Sequence, residues 1–464
     1  MTIWEPDISG RSGPRYKAIA DALIEDVQSG RLPIGSRLPS QRRLAYHIGV
    51  TVGTVSRAYA EVQRLGVIDG QIGRGSYIRG LSDHGTRLIH GYAPHQDVVD
   101  LSLSYPPSNP VETGLLGKTL KALGQDPALA NFLNYPREEG HPSHQSAAAN
   151  WLQAGGIPAK ANRIVISAGV QHGLTATLAA LCEPNDVILA ESLSYPGIRG
   201  LAVMQHLQLR GVEMDEVGLI PKAFDAACRT RKIRALYTIP NLHNPTCITL
   251  PESRRHEIVA IAKRYEVLLI EDDIYGFMVP GMPRRLIEIA PEQTVYLTGT
   301  SKNLFAGLRV GFALAPEWLV PRIAAMVRAT MWMPSPPMVE VFRRLVQNGD
   351  ATKLVAAKHA ETRARERLAT EILREFPHQA HAFATHVWLR LPGSWTAGQF
   401  SAEARRRGVA VLTGEAFALR QDAMIDATRL CLGLPTDRNL LKRGLRTIVQ
   451  LLVNAEVILT HHWR

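Results

Sequence analysis

The sequence has few cysteines and no long apolar run. Its 464 residues include four cysteines, widely spaced and without a Cys-x-x-Cys pair: Cys182, Cys228, Cys247 and Cys431. This scarcity argues against a disulfide framework or a zinc site and favours a reducing compartment. No apolar stretch reaches about 18 residues, the length that suggests a membrane span, and the polar start MTIWEPDISG lacks the pattern of a signal peptide. We therefore expect a cytoplasmic protein without a metal site or a membrane partner.

The length and charge of the chain suit a multidomain protein with a polyanionic partner. A chain of 464 residues exceeds one ordinary core, and 45% hydrophobic residues, with glycine and proline spread along the sequence, indicate globular domains. The net charge is +11. An excess of this size favours a partner such as DNA, although a merely basic surface gives the same value.

Residues 14–79 form a unit with its own helix and turn signals. Apolar residues at helical spacing predict a first helix over about 14–29, and Gly and Pro breakers follow it. Ser40 is placed to cap a second helix that Gly49 ends. A third helix follows the turn, and a hairpin around Gly73 closes the unit. Two helices joined by a tight turn are typical of helix-turn-helix proteins.

The third helix carries most of the candidate DNA contacts. The first residues of such a helix can reach base edges in a major groove, and arginines near it can bind phosphates. The candidates are Thr51, Thr54, Ser56 and Arg57 on or beside the third helix, Arg42 on the second, and Arg74 at the hairpin tip. Residues 1–80 hold eleven Lys or Arg against seven Asp or Glu, a modest excess. A three-helix protein-interaction module with solvated arginines is the alternative.

From about residue 100 onward, strand-like and helical patterns alternate. The strand-like segments are RIVIS, DVILA, IRALYTI, YEVLLI, TVYLT and RVGFALA. This alternation predicts a mostly parallel α/β sheet. The last hundred or so residues mix helices with strands such as HVWLRLP and VAVLT, which predicts a smaller α+β domain. Ligands of open α/β sheets bind outside the carboxyl ends of the strands, so polar residues at those ends are the candidate site.

The segment after TVYLT offers an amine beside anion ligands. In GTSKNLFAGLRVG, Lys302 follows Ser301, and Arg309 comes seven residues later. Pyridoxal 5′-phosphate (PLP) chemistry needs a lysine as its Schiff-base partner and cationic or hydroxyl groups for the phosphate. Lys302 is therefore the candidate catalytic residue. A surface lysine in a loop is the alternative.

Two further strand ends supply groups for a pyridine ring. Asp272, after YEVLLI, can keep a ring nitrogen protonated, and Tyr275 can hydrogen-bond the ring hydroxyl oxygen, while Asp273 points elsewhere. A metal-binding Asp pair is the rival, but no neighbouring His or third carboxylate supports it. Asn244 can donate its amide to the same ring oxygen, although Asn-Pro-Thr alone is a common turn.

Two more segments offer a phosphate cradle and a stacking ring. The backbone N–H groups of Gly169 and Val170, at the start of a helix, can hold a phosphate. Tyr195, after DVILA, can stack on the pyridine face, with a buried core tyrosine as the alternative. His386 lies in a strand that an effector side chain can reach, but a structural histidine is the simpler interpretation.

These patterns resemble two known families. Residues 15–79 resemble the GntR-type winged helix-turn-helix, in the run SGRLPIGSRLPSQRRLAYHIGVTVGTVSRAYAEVQRLGVIDGQIGRGSYI. The C-terminal segments, in this order, resemble the fold-type I aminotransferase superfamily, and nearly the whole chain resembles the MocR/GntR group of PLP-dependent regulators. The resemblance implies a multidomain fold with a winged helix-turn-helix over 1–80, a linker over 81–99 and an aminotransferase-like domain over 100–464. That domain would hold a large α/β sheet domain at about 140–340 and a small α+β domain in the remainder.

The resemblance also assigns roles to individual residues. In the cofactor site it implies that Lys302 is bonded to PLP, that Asp272 lies at the pyridine nitrogen and that Tyr195 stacks on the ring. Asn244 and Tyr275 would contact the ring oxygen. The phosphate would be held by Arg309, Ser301, Gly169 and Val170. It implies Arg429 at an effector carboxylate, and Tyr135 at the phosphate of the neighbouring subunit in a homodimer. At the DNA it implies Arg42, Thr51, Thr54, Ser56 and Gly73.

The implied function is transcription regulation. Such a protein binds double-stranded operator DNA and senses an amino-acid or amine effector through an external aldimine. An active aminotransferase that carries a DNA-binding domain is the alternative, and the sequence does not decide whether turnover occurs. A purely architectural DNA-binding protein would leave the cofactor residues unexplained.

Several positions depart from the family patterns. Val52 stands where a polar or basic residue is common, Val170 replaces a hydroxyl residue of the phosphate turn, Cys247 replaces a glycine, and Gly299 stands in place of a phosphate hydroxyl. GHPSHQSA replaces the common Gly…Leu-Arg pattern. We expect the loss of one or two phosphate hydrogen bonds, each worth roughly 0.5 to 1.5 kcal/mol. A covalent link and Arg309 would still hold the cofactor.

Overall fold

The computed structural model describes residues 4–8, 14–28, 31–32, 36–64, 67–71, 75–78, 98–135, 139–277, 279–420 and 425–461. Two compact units are present: the first contains the described residues up to Ile78, and the second contains most of the chain from Val98 onward. Within the described ranges, no helix combines the length and the apolar character that crossing a membrane requires.

The first unit has three helices followed by a two-stranded hairpin. Its elements are α1 (Arg15–Gln28), α2 (Gln41–His47), α3 (Val52–Arg64), β1 (Ile68–Gln71) and β2 (Gly75–Ile78). The strands are antiparallel, as in the wing of a winged helix-turn-helix. The predicted fold of this unit is confirmed, and α3 begins directly after Thr51. Thr51 Oγ1 accepts a 3.2 Å hydrogen bond from the Thr54 amide and so caps the helix.

Buried apolar side chains hold the three helices together. Ile19, Leu23, Leu44 and Val55 are fully buried in one cluster, and each such side chain stabilises the fold by roughly 1.5 to 3 kcal/mol. Ser40 caps α2 as predicted, since its Oγ accepts from the Arg43 amide at 3.3 Å.

The described strands of the second unit form a large sheet, a smaller one and two separate two-stranded sheets. They are β3 (Val99–Asp100), β4 (Ile164–Ser167), β5 (Val187–Glu191), β6 (Gln208–Val212), β7 (Met214–Asp215), β8 (Gly218–Leu219), β9 (Ala235–Thr238), β10 (Leu268–Asp272), β11 (Thr294–Gly299), β12 (Gly311–Leu314), β13 (His378–Gln379), β14 (His386–Arg390), β15 (Val409–Ala410), β16 (Leu412–Thr413) and β17 (Ala427–Cys431). The large sheet has the order β4-β12-β11-β10-β9-β5-β6, and only β12 runs antiparallel to its neighbours. All six predicted strands are confirmed. β6 was not predicted, because it is an edge strand whose residues are mostly exposed and so do not form an apolar run.

Helices cover both faces of the large sheet. The helices of this unit are α4 (Pro110–Gly124), α5 (Pro142–Ala154), α6 (Val170–Leu181), α7 (Gly197–Met204), α8 (Pro221–Thr230), α9 (Glu252–Arg264), α10 (Leu286–Ile289), α11 (Val320–Met331), α12 (Pro336–Gln347), α13 (Asp350–Leu373), α14 (Ala397–Arg406) and α15 (Arg438–His461). Alternate residues of β4 enter different cores: Ile164 and Ile166 cluster with residues of α5 and α12, and Val165 with residues of α6 and α11. A strand covered on both faces is apolar throughout, which is why its sequence reads as a continuous apolar run.

The C-terminal part of the unit carries the smaller sheet. Its order is β13-β14-β17-β16, with antiparallel pairing throughout. The predicted fold class, an α/β sheet domain with a smaller α+β part, is therefore confirmed.

Candidate functional site

Three neighbouring strands of the large sheet end at the same edge. β10 pairs in parallel with both β9 and β11. Asn244 lies in the loop after β9, Asp272 ends β10, and Lys302 lies in the loop after β11. The topology therefore brings three predicted site residues to one edge, where ligands of open α/β sheets bind.

Lys302 is half-buried in its loop. Its Nζ donates a hydrogen bond to the backbone oxygen of Ser104 and lies 3.5 Å from Ser104 Oγ and 5.4 Å from the centre of the Tyr275 ring. Burial lowers the pKa of the Lys302 amine to about 8, and nearby Cys431 and Asp272 act in the opposite direction. At pH 7 such an amine is neutral, and therefore nucleophilic, in a larger fraction of molecules than an exposed lysine.

Asp272 is a buried carboxylate held from two sides. Its Oδ2 accepts from the Tyr237 hydroxyl at 2.8 Å, and its Oδ1 accepts from the Ile274 amide at 3.2 Å. Burial raises the pKa of Asp272 to about 6 despite these hydrogen bonds. A cation placed beside the carboxylate would lower that pKa and keep the group ionised.

The adjacent carboxylate belongs to a different network. Asp273 accepts from Arg285 Nε at 2.8 Å, from the Tyr296 hydroxyl at 2.7 Å and from Asn241 Nδ2 at 2.9 Å. Asp273 and Asp272 therefore share no hydrogen-bond partner among the described residues. Among the described residues, no group of three or more His, Cys, Asp or Glu is arranged to hold a metal ion.

Arg429 and Asn244 form a hydrogen-bonded pair beside these groups. Arg429 lies on β17, and its Nη1 donates to Asn244 Oδ1 at 2.8 Å, while its Nη2 donates to the Ser102 backbone oxygen at 2.7 Å. The guanidinium lies 4.8 Å from the centre of the Phe417 ring. Its Nε is buried and has no hydrogen-bond partner among the described residues. A buried guanidinium whose Nε–H is unused is suited to an anionic ligand.

The predicted phosphate turn is shaped around Arg309. Gly169 has φ +85° and immediately precedes α6, so it leaves the first helical N–H groups free. A Cβ at Gly169 would lie 2.5 Å from Arg309 Nη2. Arg309 Nη2 donates to the Ala168 backbone oxygen at 3.0 Å, and its Nη1 donates to Ser301 Oγ at 3.3 Å. Arg309, Ser301 and the turn at Gly169 and Val170 therefore meet in space.

Two departures from the family patterns have local explanations. Gly299 pairs with Gly311, and a Cβ at Gly299 would lie 2.8 Å from the Val310 backbone oxygen, so a hydroxyl residue would not fit here without a backbone shift. Cys247 has φ +62°, a left-handed conformation that favours glycine. Its buried thiol donates to the His386 backbone oxygen at 3.1 Å.

Tyr195 and Tyr135 have different surroundings. Tyr195 is half-buried, and its pKa is raised by burial and by Asp272, which places the phenol near that carboxylate. A Cβ at Gly197 would lie 2.3 Å from the Tyr195 ring, so only glycine fits under it. Tyr135 is 72% exposed, and its ring lies 5.5 Å from that of Trp332. The described part of the chain shows no hydrogen bond between Tyr135 and the residues around Lys302.

His386 is fully buried beside Tyr275. The two rings are 5.5 Å apart, and His386 Nε2 is 3.4 Å from the His243 backbone oxygen. Burial lowers the pKa of His386 to about 3, so the ring is neutral. Its Nδ1 is buried, and no residue within the described ranges hydrogen-bonds it.

The exposed face of α2 and the start of α3 carry the DNA-contact candidates. Arg42 is exposed, Thr51 shares a 2.9 Å hydrogen bond with Thr54, and Ser56 is half-buried. The Arg57 guanidinium lies 4.2 Å from the centre of the Tyr16 ring on α1. Of the other candidates, Gly73 and Arg74 lie outside the described residues.

The structure adds three residues that the sequence analysis did not assign. The Tyr237 hydroxyl donates a hydrogen bond to Asp272. The backbone oxygen of Ser102 accepts a hydrogen bond from Arg429, and that of Ser104 accepts one from Lys302. A tyrosine in a fully buried strand signals a hydroxyl that needs a partner, so Tyr237 was open to prediction. Ser104 was not, because it contacts a residue 198 positions away through an irregular segment.

Two family models match the chain. The model described as "Bacterial regulatory proteins, gntR family" matches residues 15–78, and "Aminotransferase class I and II" matches residues 97–447. The uncharacterized HTH-type transcriptional regulator YdeF of Bacillus subtilis is 26% identical over 97% of this chain and 96% of its own length. The HTH-type transcriptional regulator TauR of Rhodobacter capsulatus is 24% identical over 88% of this chain and 90% of its own length.

Solved aminotransferase structures share the fold of the second unit. The kynurenine aminotransferase of Pyrococcus horikoshii superposes with a TM-score of 0.70 at 20% identity, over 77% of this chain and 91% of its own. The α-aminoadipate aminotransferase LysN of Thermus thermophilus gives 0.70 at 20% identity, over 81% and 97%. The chain belongs to the aminotransferase class I and II family, and it joins that domain to an N-terminal helix-turn-helix domain of the bacterial gntR family.

Proposed function

We propose that the protein is a DNA-binding transcription regulator that uses PLP to sense an amino compound. The observation that carries this proposal is the meeting of Lys302, Asp272, Tyr275 and Arg429 in a chain that also has a winged helix-turn-helix. A metabolic aminotransferase has no need of the N-terminal unit. Relatives of nearly the same length are named transcriptional regulators.

The residues present fit PLP in three respects. The buried Asp272 carboxylate forms no ion pair with a described residue, although Lys302 lies nearby, and a protonated pyridine nitrogen would supply such a partner. The turn at Gly169 brings helix N–H groups and Arg309 together, a combination suited to a phosphate. Asn244 uses its oxygen for Arg429, which leaves its amide nitrogen to donate to a ring oxygen.

Each of these residues has a defined task. When bound, PLP supplies an electrophilic carbonyl that captures amines and a ring that withdraws electrons. Lys302 offers an amine of lowered pKa at the end of β11. Asp272 holds a proton at the ring nitrogen, with its own position fixed by Tyr237. The Tyr195 ring, which packs against Gly197, would stack on the ring of the cofactor.

An amino-acid effector is the natural ligand of Arg429. A carboxylate can take the unused Nε–H and displace the Ser102 backbone oxygen from Nη2. Such an exchange would release the segment around Ser102, which follows β3. Linkage then requires that an effector which changes DNA affinity has its own affinity changed by DNA, typically by about 1 to 3 kcal/mol.

We further propose a homodimer in which Tyr135 completes the partner's phosphate site. Tyr135 and Trp332 form an exposed aromatic pair on one protomer. Aromatic residues are enriched in protein interfaces. Operator DNA would then be contacted by two copies of the unit that carries Arg42, Thr51 and Thr54.

An active aminotransferase remains the second candidate function, because the Lys302, Asp272, Tyr275 and Arg429 set is complete. One experiment separates the two. PLP-loaded protein is given amino donors and 2-oxo acid acceptors, and binding to DNA from upstream of its own gene is measured with the same compounds. A compound that changes DNA affinity without sustained turnover supports the regulator, whereas turnover with unchanged DNA affinity supports the enzyme.

A further inference from the structure

The side chain of Ser104 connects two residues of the candidate cofactor site. Ser104 lies between β3 and α4 and is half-buried. Its Oγ is 2.8 Å from the Tyr275 hydroxyl and 3.5 Å from Lys302 Nζ, and its backbone oxygen accepts from the same amine. No sequence motif singled out Ser104.

The chemistry of these groups sets the direction of the hydrogen bonds. Lys302 Nζ donates to the Ser104 backbone oxygen and lies 3.5 Å from Oγ, whereas the Tyr275 hydroxyl is 2.8 Å from Oγ and is therefore its near partner. When the phenol donates its proton to the ring oxygen of the cofactor, the serine is the donor to the Tyr275 oxygen. A hydroxyl that accepts one hydrogen bond also becomes a stronger donor in the next.

We infer that Ser104 is a positioning residue of the cofactor site: its hydroxyl orients Tyr275 and strengthens the phenol as a donor to the ring oxygen of the cofactor. This inference rests on the proposed PLP function. Ser104 acts through Tyr275 rather than by touching the reacting atoms. The role needs a hydroxyl at this position, which threonine retains and alanine lacks.

The visible absorbance of the PLP-loaded, full-length protein, titrated with pH, tests this role. A donor to the ring oxygen stabilises the ionised ring oxygen, so a weaker donor raises the pH at the midpoint of the spectral change. We expect Ser104→Ala to raise that midpoint by roughly 0.3 to 1 pH unit, the range of one neutral hydrogen bond. Ser104→Thr should titrate like the wild type. Ser108→Ala, which removes an exposed hydroxyl from the same segment, is the matched control.

A double substitution shows whether Ser104 acts through Tyr275. Tyr275→Phe should raise the midpoint further than Ser104→Ala, and adding Ser104→Ala to Tyr275→Phe should change nothing more. The inference is overturned if Ser104→Ala titrates like the wild type, or if its shift persists in the Tyr275→Phe background. If Ser104→Ala no longer retains PLP, recovery in Ser104→Thr supports the role and loss in both variants contradicts it. A wild-type protein that never binds PLP would instead refute the proposed function.

Discussion

Arg429 donates a 2.8 Å hydrogen bond to the side-chain oxygen of Asn244, 185 residues earlier in the chain. The guanidinium can only donate, so this bond fixes which end of the Asn244 amide faces it. The family resemblance assigns Asn244 to the cofactor ring and Arg429 to the effector carboxylate. The cofactor and the effector would therefore contact the same hydrogen-bonded pair. Binding of an effector would then change the surroundings of the cofactor.

The first prediction concerns Lys302. Lys302→Ala should lose stable retention of PLP, because no other amine among the described residues is positioned beside Asp272 and Tyr275. The measurement is the visible absorbance of protein passed through a desalting column after incubation with PLP. Lys118→Ala, on the exposed face of α4, is the control and should retain the wild-type absorbance. An unchanged spectrum in Lys302→Ala would remove this lysine from the site.

A second prediction uses the pKa of Asp272. Burial raises that pKa from its ordinary value to about 6, so between these values the folded state binds more protons than the unfolded state. Stability therefore falls as pH rises through this window. In PLP-free protein, Asp272→Asn should be more stable than the wild type at pH 8, and the advantage should shrink by about 1 kcal/mol at pH 5. Urea unfolding at the two pH values measures this difference.

The same substitution should have the opposite effect on the loaded protein. Asparagine cannot hold a proton at a pyridine nitrogen as a carboxylate does, so Asp272→Asn should weaken PLP binding. Tyr237→Phe is the matched control, because it removes one hydrogen bond from Asp272 and keeps the charge. Equal stability of wild type and Asp272→Asn at every pH would contradict the assigned pKa shift.

Much of this site could be predicted from the sequence because each strand end carries its ligand within a few residues. Lys302, Asp272 and Asn244 follow recognisable apolar strands, and parallel order brings their ends together. Ser102 and Ser104 were not predicted, because they lie in a segment without helix or strand and contact residues far along the chain. The position of Arg57 over Tyr16 also needed the structure, since a spacing pattern does not report which ring an arginine covers.

The third prediction separates two arginines of the first unit. Arg42 is exposed, whereas the Arg57 guanidinium is stacked on Tyr16. Arg42→Ala should weaken binding to operator DNA by about 1 to 3 kcal/mol if it contacts a base. Arg57→Ala should instead cost about 0.5 to 1 kcal/mol of folding stability through the lost cation–π contact. Fluorescence anisotropy at several salt concentrations and thermal unfolding give the two quantities.

Exposed Arg15 on α1 supplies the control for this pair, since Arg15→Ala removes one positive charge from the same unit. Wild-type binding should fall steeply with salt, because arginine–phosphate contacts release counterions. An Arg42→Ala protein that binds DNA as tightly as Arg15→Ala does would exclude Arg42 from the interface.

The fourth prediction tests shared sites. If Tyr135 serves the partner's phosphate site, Tyr135→Phe and Lys302→Ala should each weaken PLP retention alone. In a heterodimer of the two variants, one of the two sites has both an intact Lys302 and an intact Tyr135. Random mixing of equal amounts should therefore restore high-affinity PLP binding to roughly a quarter of the sites. Absorbance titration measures the fraction, and a mixture that binds no better than its components would place Tyr135 outside the site.

The last prediction concerns what Arg429 recognises. Arg429 is buried, carries an Nε–H without a partner and is held by Asn244 and Ser102. A carboxylated effector should therefore depend on it far more than an amine of the same skeleton that lacks the carboxylate. Losing a hydrogen bond to a charged group costs about 1.5 to 3 kcal/mol, so Arg429→Ala should raise the amino acid concentration needed to shift operator affinity by about 10- to 100-fold.

The decarboxylated amine should act equally on wild type and Arg429→Ala, provided that both proteins retain PLP by absorbance. Arg429→Lys keeps the positive charge but loses the planar fork, so its loss should be intermediate. If Arg429→Ala weakens the effects of the amino acid and of the amine on operator affinity equally, Arg429 positions Asn244 and does not bind the carboxylate. If Arg429→Ala responds to both compounds like the wild type, the carboxylate binds elsewhere. In the wild type, the Ser102 oxygen would then stay hydrogen-bonded to the guanidinium when the effector is bound.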